Sequence, residues 1–444
     1  MAVWFRMRPH QIDDNTAAWL AELEPYERLP PLSGEIAADV AIVGGGITGV
    51  STAWHLIERF PTQRVVLLEA RALANGASGR NGGQVLNGIN GVEPRDPELG
   101  RQVFEATHAG IDIVEELAAH SAIDCGFARH GCLEISTTAA AADAAQARVA
   151  TWQSWGLPMR WLPPGAVAMH GAHGAVLDPT AARVNMAALL RGLRPELLAR
   201  GVEVYEQTPV LRIEEGATLR LTTPAGGVRA AAVVLATNAY TPLLGWFRHG
   251  ILPLHSHVVA TGPLPPRAWA ALGWGEAEGF ADDLDRIAYG CRTPGGRMLF
   301  GGGGNQAYTY RYGGRPVFDR PPGAARRQFD AIERRMRGYF PGLIGQPVAQ
   351  RWTGTLAITL DRVCSMGVTG AHRNVYYALG YSGHGLALGA LAGRVLRDLY
   401  SGDHAPWRAL PFYQKRLPTL PPEPLRWLGY QTYTRLTGRS PRTH

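Results

Sequence analysis

The sequence predicts an α/β fold: a Rossmann-type parallel-sheet domain, discontinuous along the chain, with an α+β domain built on an antiparallel sheet. Three observations predict it. Residues 38–69 run strand, glycine turn, helix, strand, acid. Residues 374–399 run strand, glycine turn, helix again. Between them lie short apolar segments bounded by turn residues, the pattern of antiparallel strands.

The first unit is complete. Ala38 to Val43 is an apolar strand whose one charge is Asp39. Gly44-Gly45-Gly46-Ile47-Thr48-Gly49 follows at once. A helical pattern then runs from Val50 to Phe60, and after Pro61 a second strand, Val65 to Leu68, ends at Glu69. Gly44 makes the tight turn, Gly46 lets the backbone approach a pyrophosphate, and Gly49 lets the helix pack on the sheet. The helix start offers free N–H groups and a positive dipole end. Glu69, twenty residues after Gly49, is placed to accept ribose hydroxyls.

The segment from Ala74 to Gln84 carries four glycines with Ser78, Arg80 and Asn81. Nicotinamide-dependent dehydrogenases usually enter a helix here. A polar glycine-rich stretch instead suits backbone wrapped along a long ligand, although its composition also fits a surface loop. Leu99 to Ala119 reads as a helix leading into the second domain. Gly131 to Ser136, Leu252 to Thr261, Ile287 to Cys291 and Met298 to Gly301 read as its strands. Gly301 to Gly304 follows a strand, but no helix with an acid partner comes after it, so a separate NAD(P)H site is not expected and reducing equivalents come from the substrate. Asn374 to Leu379 is a strand, and the helix after its glycine turn carries Leu388, Leu391, Val395 and Leu399 on one side. This corner fits either an anion site or a plain β–α turn.

Composition narrows the function. Of 444 residues, 46% are hydrophobic and 18% charged, which suits a large core divided between two domains. No run of about 18 apolar residues exists; Ala231 to Leu244 is interrupted by Thr237, Asn238 and Thr241. Met1 to Thr16 lacks the apolar core of a secretory signal, so a cytoplasmic enzyme with no transmembrane segment is expected. The net charge of +7 comes from scattered arginines with no basic run, and no nucleic-acid partner is expected. Lys415 is the one lysine and lies outside any motif, against a pyridoxal cofactor. Cys125, Cys132, Cys291 and Cys364 form no C-x-x-C pair and no zinc spacing, so no metal is expected.

Taken together the motifs resemble a known family. G-G-G-I-T-G at 44–49, Glu69-Ala70-Arg71, and Gly76 to Gln84 are similar to the D-amino-acid oxidase superfamily, and within it to gamma-glutamylputrescine oxidase-like proteins. Arg351-Trp352-Thr353-Gly354, Thr359-Leu360-Asp361 and Gly380-Tyr381-Ser382-Gly383-His384-Gly385 match the second flavin-contacting region of that group. The tail from Leu425 to Tyr430 is also similar, and the resemblance runs from about Trp19 to Leu436. It implies an FAD-binding domain and a substrate domain. On it, Gly44, Gly46, Ile47, Thr48, Gly49, Glu69, Ala70 and Arg71 hold the ADP half. Ala77, Ser78, Arg80, Asn81, Gly82, Gly83 and Gln84 line pyrophosphate, ribityl and flavin. Val210, at the start of a strand, meets adenine, and Thr237 and Asn238 close the nucleotide site. Gly383, His384, Gly385 and Leu386 open a helix toward the flavin edge.

The resemblance further implies oxidation of an amine at the C–H beside nitrogen, by hydride transfer to the flavin, giving an imine and then an aldehyde, with O2 or another electron acceptor. A gamma-glutamylated or related aliphatic amine is the expected small-molecule substrate. A D-amino-acid, glycine or sarcosine-type dehydrogenase serving a quinone, an RNA-modifying or accessory flavoprotein, and a non-catalytic FAD binder are the alternatives. Two departures from sarcosine oxidases matter. Their flavin-linked cysteine corresponds to Gly354 here, so the FAD is expected to be non-covalent. Their oxygen-assisting lysine has no counterpart in this half of the chain.

The expected organisation is an arm (1–37), an FAD-binding domain (38–95, 176–248 and 346–405), a substrate domain (96–175 and 249–345) and a tail (406–444) packed across the body. Candidate catalytic groups are His384, His255 with His257 on one strand face, and an aromatic wall of Trp352, Tyr289 and Tyr381; each also fits a structural role. A substrate carboxylate would want an arginine fork, with Arg292, Arg297 and Arg351 as options. Nothing in the sequence specifies the oligomeric state.

Overall fold

A computed structural model describes residues 17–274, 277–305, 307–314 and 325–437. The first sixteen residues of the expected arm and the last seven of the tail lie outside these. In chain order, the elements that frame the site begin with β1 (Gly34–Val43), α1 (Ile47–Arg59), β2 (Val65–Leu68) and α2 (Pro97–Ala119). Next come β3 (Glu203–Tyr205), β4 (Gly226–Leu235), β5 (Leu252–Pro263), β6 (Ala288–Arg292) and β7 (Arg297–Gly302). The last are β8 (Val348–Ile358), β9 (Ser365–Thr369), β10 (Val375–Leu379), α3 (Gly385–Ser401) and α4 (Leu425–Thr437).

The first sheet has the order β9-β10-β4-β1-β2-β3, with strands Leu219–Thr222 and Arg212–Glu214 added beside β4. The pairs β10/β4, β4/β1, β1/β2 and β2/β3 are parallel. Parallel strands are covered on both faces, which requires unbroken apolar runs. Val40 to Val43 and Val65 to Leu68 meet this need, each at most 4% exposed.

The second sheet has nine strands. It runs Tyr308–Tyr310, β5, β7, β6, Gly279–Asp282, Cys132–Ile135, Ala175–Asp178, Arg160–Leu162, with β8 on the other side of β5. It is antiparallel except where Gly279–Asp282 runs parallel to Cys132–Ile135. Its strands alternate: in β5, Leu254 and Ser256 face one way and His255 and His257 the other. The domain limits expected from the sequence shift accordingly. Residues 175–178 and 348–358 hydrogen-bond in this second sheet, so expected boundaries at 176 and 346 fall at or near its strands. Val210 precedes the strand Arg212–Glu214 instead of starting it, and Leu211 N–H bonds Thr222 O.

Two helices differ from their sequence reading. α1 begins at Ile47, inside the glycine motif, because its first turn packs at once on the sheet. α3 is buried almost all round, not on one side, because α1 and α2 flank it. A Cβ on Gly393 would stand 2.5 Å from the Ser51 carbonyl oxygen, and one on Gly110 would stand 2.4 Å from that of Ala387. Asp96 caps α2 by accepting Glu98 and Leu99 N–H, with Pro97 in the first turn. Among the described residues no helix is long and apolar enough to cross a membrane.

The glycine contacts of α3 are testable by thermal unfolding. Gly393→Ala pushes a methyl into the α1 backbone and is expected to cost about 1–3 kcal/mol. Gly338→Ala, in the helix Arg326–Tyr339, has open space around its Cβ and is expected to gain up to about 1 kcal/mol. Equal effects at the two positions would remove the case for a glycine-dependent crossing.

Candidate active site

A cavity of about 920 Å³ opens at the carboxyl ends of β1 and β4 and extends under the second sheet. Its first wall is the glycine turn after β1. Gly44 has φ +111°, and a Cβ there would lie 2.7 Å from Ala236 O, so the turn after β4 can sit directly beside it. A Cβ on Gly49 would lie 1.9 Å from Gly44 O, so only hydrogen at this position lets α1 close on the turn. No side chain of Gly46 caps α1; instead Ser78 Oγ accepts Ile47 N–H at 3.0 Å. Gly46 leaves room for that serine, since a Cβ would stand 2.9 Å from its Oγ.

Glu69 closes the end of β2. Its carboxylate accepts Gly45 N–H at 2.7 Å and Arg71 N–H at 2.9 Å. Desolvation pushes its pKa up to about 7, against the pull of these amides. Glu206, fully buried, accepts Leu29 N–H and Leu73 N–H and the Tyr26 hydroxyl, and so ties the N-terminal residues to this edge.

The loop from Ala74 to Gln84 forms the middle of the wall. Arg80 is buried, its guanidinium donating to Asn75 O at 2.8 Å and Thr353 O at 3.4 Å. Trp352 Nε1 returns a bond to Arg80 O at 3.0 Å and Trp19 Nε1 one to Asn81 O at 2.9 Å. Asn81 Oδ1 accepts Gly83 N–H at 2.7 Å, and Gln84 Nε2 donates to Phe280 O and Gly290 O in the second sheet. Ala70, Ala77, Gly82 and Val210 also line the cavity. Asn238 lines it beside Thr237 and accepts Gly380 N–H at 3.0 Å, joining the ends of β4 and β10.

The second glycine turn completes this half. Ser382 and Gly383 both have positive φ, and His384 is the N-cap of α3, contributing no side-chain cap bond. Gly354, Gly383, His384, Gly385 and Leu386 all face the cavity. Tyr381 Oη and Thr48 Oγ1 share a hydrogen bond of 2.7 Å, so the two glycine turns are pinned to each other. Burial raises the Tyr381 phenol and keeps it neutral.

Several sequence candidates lie elsewhere. Gly49, Arg71 and Gly83 support the wall without lining it. His255 sits on the far face of β5, its Nδ1 3.3 Å from Thr355 Oγ1, and His257 bonds Thr353 Oγ1 at 2.8 Å. Strand alternation gives the cavity Leu254 and Ser256 instead. Trp352 is fully buried behind Arg80, so Tyr289 and Tyr381 form the aromatic wall without it. Arg292, Arg297 and Arg351 pair with Glu278, Glu22 and Glu333 outside the cavity. Sequence reasoning missed Asp285, Arg286 and Arg362, which line it, together with Tyr430 and Tyr433 of α4. The resemblance of the tail from Leu425 to Tyr430 was the one signal pointing to Tyr430. The four cysteines are free and buried; Cys132 lines the cavity, with its thiol raised by burial. Among the described residues no cluster of three His, Cys, Asp or Glu could hold a metal ion.

Glu69 makes the nucleotide end testable. A carboxyl raised by burial stabilises the ligand-free fold below its ordinary range and loses that contribution as pH rises through about 7. Ribose hydroxyls donate to the ionised form. FAD affinity is therefore expected to be full above about pH 7 and to weaken by up to about tenfold per pH unit below it. In a fluorescence titration of apoprotein, Glu69→Gln should bind weakly and without this dependence. A wild-type dissociation constant flat from about pH 6 to 8 would remove Glu69 from the site.

Comparison with known proteins agrees with this geometry. The family described as DAO, FAD dependent oxidoreductase, matches residues 39–399. Gamma-glutamylputrescine oxidoreductase of Escherichia coli (strain K12) is 29% identical over 411 residues, covering 88% of this chain and 90% of that protein. The crystal structure of glycine oxidase from Geobacillus kaustophilus superposes with a TM-score of 0.72 at 24% identity, covering 86% of this chain and 99% of the other. That of L-proline dehydrogenase from P. horikoshii gives 0.66 at 20% identity, covering 84% and 94%. The chain belongs to the DAO family of FAD-dependent oxidoreductases.

Proposed function

We propose that the chain oxidises the C–N bond of a gamma-glutamylated or related aliphatic amine in the cytoplasm, with O2 as electron acceptor and hydrogen peroxide as the second product. The continuity of the cavity supports this reading most. The glycine turns and Ser78 share one space with Leu254, Ser256, Tyr289 and Tyr308. The substrate named for the E. coli relative, whose length is matched almost throughout, supports the amine class.

In this reading Gly44, Gly46, Ile47 and Ser78 hold the pyrophosphate, Glu69 the ribose, and Val210 with Thr237 the adenine side. The loop from Ala77 to Gly82 and the start of α3 hold the flavin. FAD, when bound, supplies the two-electron acceptor for the C–H bond beside nitrogen. The chain's own residues seat the amine and manage its proton. Leu254 and Tyr289 give an apolar wall, which favours the uncharged amine. The Ser256 and Tyr289 hydroxyls, 3.1 Å apart, offer it hydrogen bonds. His384, on the wall at the start of α3, is placed to accept its proton at a ring nitrogen. The N–H groups of Gly385 and Leu386 add positive potential at the same wall.

One observation favours a second reading, a dehydrogenase passing electrons to a quinone. Lys415, the one lysine, is held by Asp361 away from the cavity, so no ammonium stands there to assist oxygen.

Anaerobic mixing of the holoprotein with gamma-glutamylputrescine, free polyamines, sarcosine, glycine and D-amino acids separates these readings. The gamma-glutamylated amine is expected to bleach the visible flavin band, and air to restore it with peroxide. Slow recovery in air selects the dehydrogenase. A band that no amine bleaches overturns amine oxidation.

A further inference from the structure

We propose that Arg286 is the residue that recognises a carboxylate on the substrate, at the end remote from the reacting amine. The word substrate here rests on the amine-oxidising reading above; the carboxylate site itself does not.

Arg286 lies in the segment between Gly279–Asp282 and β6, and its side chain lines the cavity while being only 7% exposed. Its Cζ stands 5.1 Å from the ring centre of Tyr430 and 5.0 Å from that of Tyr433. Nη2 donates to Thr434 Oγ1 at 2.9 Å. That is its one hydrogen bond among the described residues, and Nε is buried with none. A guanidinium has five N–H donors, so most of this fork is unused.

The nearest carboxylate does not fill it. Asp285 Oδ2 is 3.9 Å from Nε, beyond hydrogen-bond range. Asp285 is already engaged by Arg362, by the Tyr433 hydroxyl at 2.7 Å and by Thr437 Oγ1 at 3.2 Å. Burial would raise its pKa, but the Tyr433 and Arg362 hydrogen bonds and the Arg362 charge, with a smaller pull from Arg286, outweigh burial and hold it low, so it stays ionised with Arg362 as its hydrogen-bonded cation. The other two acids beside Arg286 are also engaged: Asp282 accepts Leu284 and Ala288 N–H and the Tyr339 hydroxyl, and Asp283 accepts the Thr137 N–H and hydroxyl. Arg286 is left as a buried cation with two aromatic faces, one neutral hydrogen-bond partner and a loose 3.9 Å ion pair to an aspartate shared with Arg362. Aromatic faces offset part of its lost hydration, and an anion on the cavity side would supply the rest.

The chemistry of that anion follows from charge. Arg286 and Arg362 against Asp285 leave one net positive charge, which suits one carboxylate group of a ligand. A planar carboxylate fits the unused edge of the fork in a bidentate way. The reacting amine belongs beside Tyr289 and the second glycine turn, and Arg286 stands at the α4 side of the same cavity. A ligand with an amine at one end and a carboxylate at the other spans the two. The gamma-glutamyl group has such a carboxylate.

Binding to the holoprotein tests this without turnover. Glutarate is the probe and glutaramide its uncharged control, followed by calorimetry and by the visible flavin band. Wild type is expected to bind glutarate and to ignore glutaramide, and Arg286→Leu to weaken glutarate by about thirtyfold, the scale of lost charge-assisted hydrogen bonds. Arg297→Leu, outside the cavity, should not change it. With substrates, Arg286→Leu should raise KM for gamma-glutamylputrescine and leave that for putrescine unchanged, with kcat within about twofold. Because Arg286 also holds α4, wild-type protein supplies a second measurement: glutarate should slow phenylglyoxal modification of Arg286, mapped by mass spectrometry, and glutaramide should not. Glutarate binding that is absent in wild type, unchanged in Arg286→Leu or without protection overturns the proposal. If glutarate binds through Arg286 but no amine bleaches the flavin, the site stands and amine oxidation falls. If amines bleach it while glutarate is indifferent, the reverse holds.

Discussion

Two helix starts must meet over one ligand, and the close approach of α1 and α3 makes this possible. Gly393 of α3 lies against Ser51 of α1, whose Oγ donates to Ala390 O at 2.6 Å. Gly389 admits Ile47 in the same way, since a Cβ there would be 2.7 Å from Ile47 Cγ2. These contacts fix the distance between the first glycine turn and the second. The Thr48–Tyr381 bond then fixes their orientation. Both turns present a helix start to the cavity, the first with Ile47 N–H taken by Ser78 Oγ, so between the two turns positive potential comes from backbone. A site built this way is rigid because a larger residue at Gly393 or Gly110 clashes with main chain and one at Gly389 with the Ile47 side chain.

The second sheet is coupled to this crossing through the loop after β2. Arg80 reaches the β8 carbonyl of Thr353, Trp352 reaches back to Arg80 O, and Gln84 bonds carbonyls of Phe280 and Gly290. The loop is therefore a strap between nucleotide end and substrate end. Its glycines are needed where it passes under neighbours: a Cβ on Gly82 would stand 2.8 Å from the Tyr289 ring. The aromatic side chain that borders the substrate end is thus set in place by the backbone that borders the cofactor end.

How far the sequence could be read follows from the range of each interaction. The first glycine unit, Glu69, Ser78 and the turn before α3 were legible because each is a local pattern whose parts lie within a few turns of one another. The strand faces were harder. Periodicity put His255 and His257 on one side of β5 together, but which side met the cavity depended on β8 and on Phe329, seventy or more residues away. Arginine partners were out of reach for the same reason. Arg292, Arg297 and Arg351 look free in one dimension and are neutralised in three by Glu278, Glu22 and Glu333. Arg286 follows three aspartates, Asp282, Asp283 and Asp285, in the sequence and looks neutralised, yet in the fold Asp285 turns to Arg362.

The placement of α4 explains why that inversion is stable. Removing an arginine from water is costly, and a local aspartate would ordinarily be its cheapest partner. Here Tyr433 donates to Asp285 and turns a ring face to Arg286 at the same time, so one side chain both satisfies the acid and shields the base. Tyr430 covers the other approach and donates its hydroxyl to Tyr308 O, anchoring the helix to the second sheet. With Asp285 drawn to Arg362, the remaining direction for Arg286 to interact is into the cavity. The C-terminal helix does more than close the body: its two tyrosines decide which arginine is spent on structure and which faces a ligand.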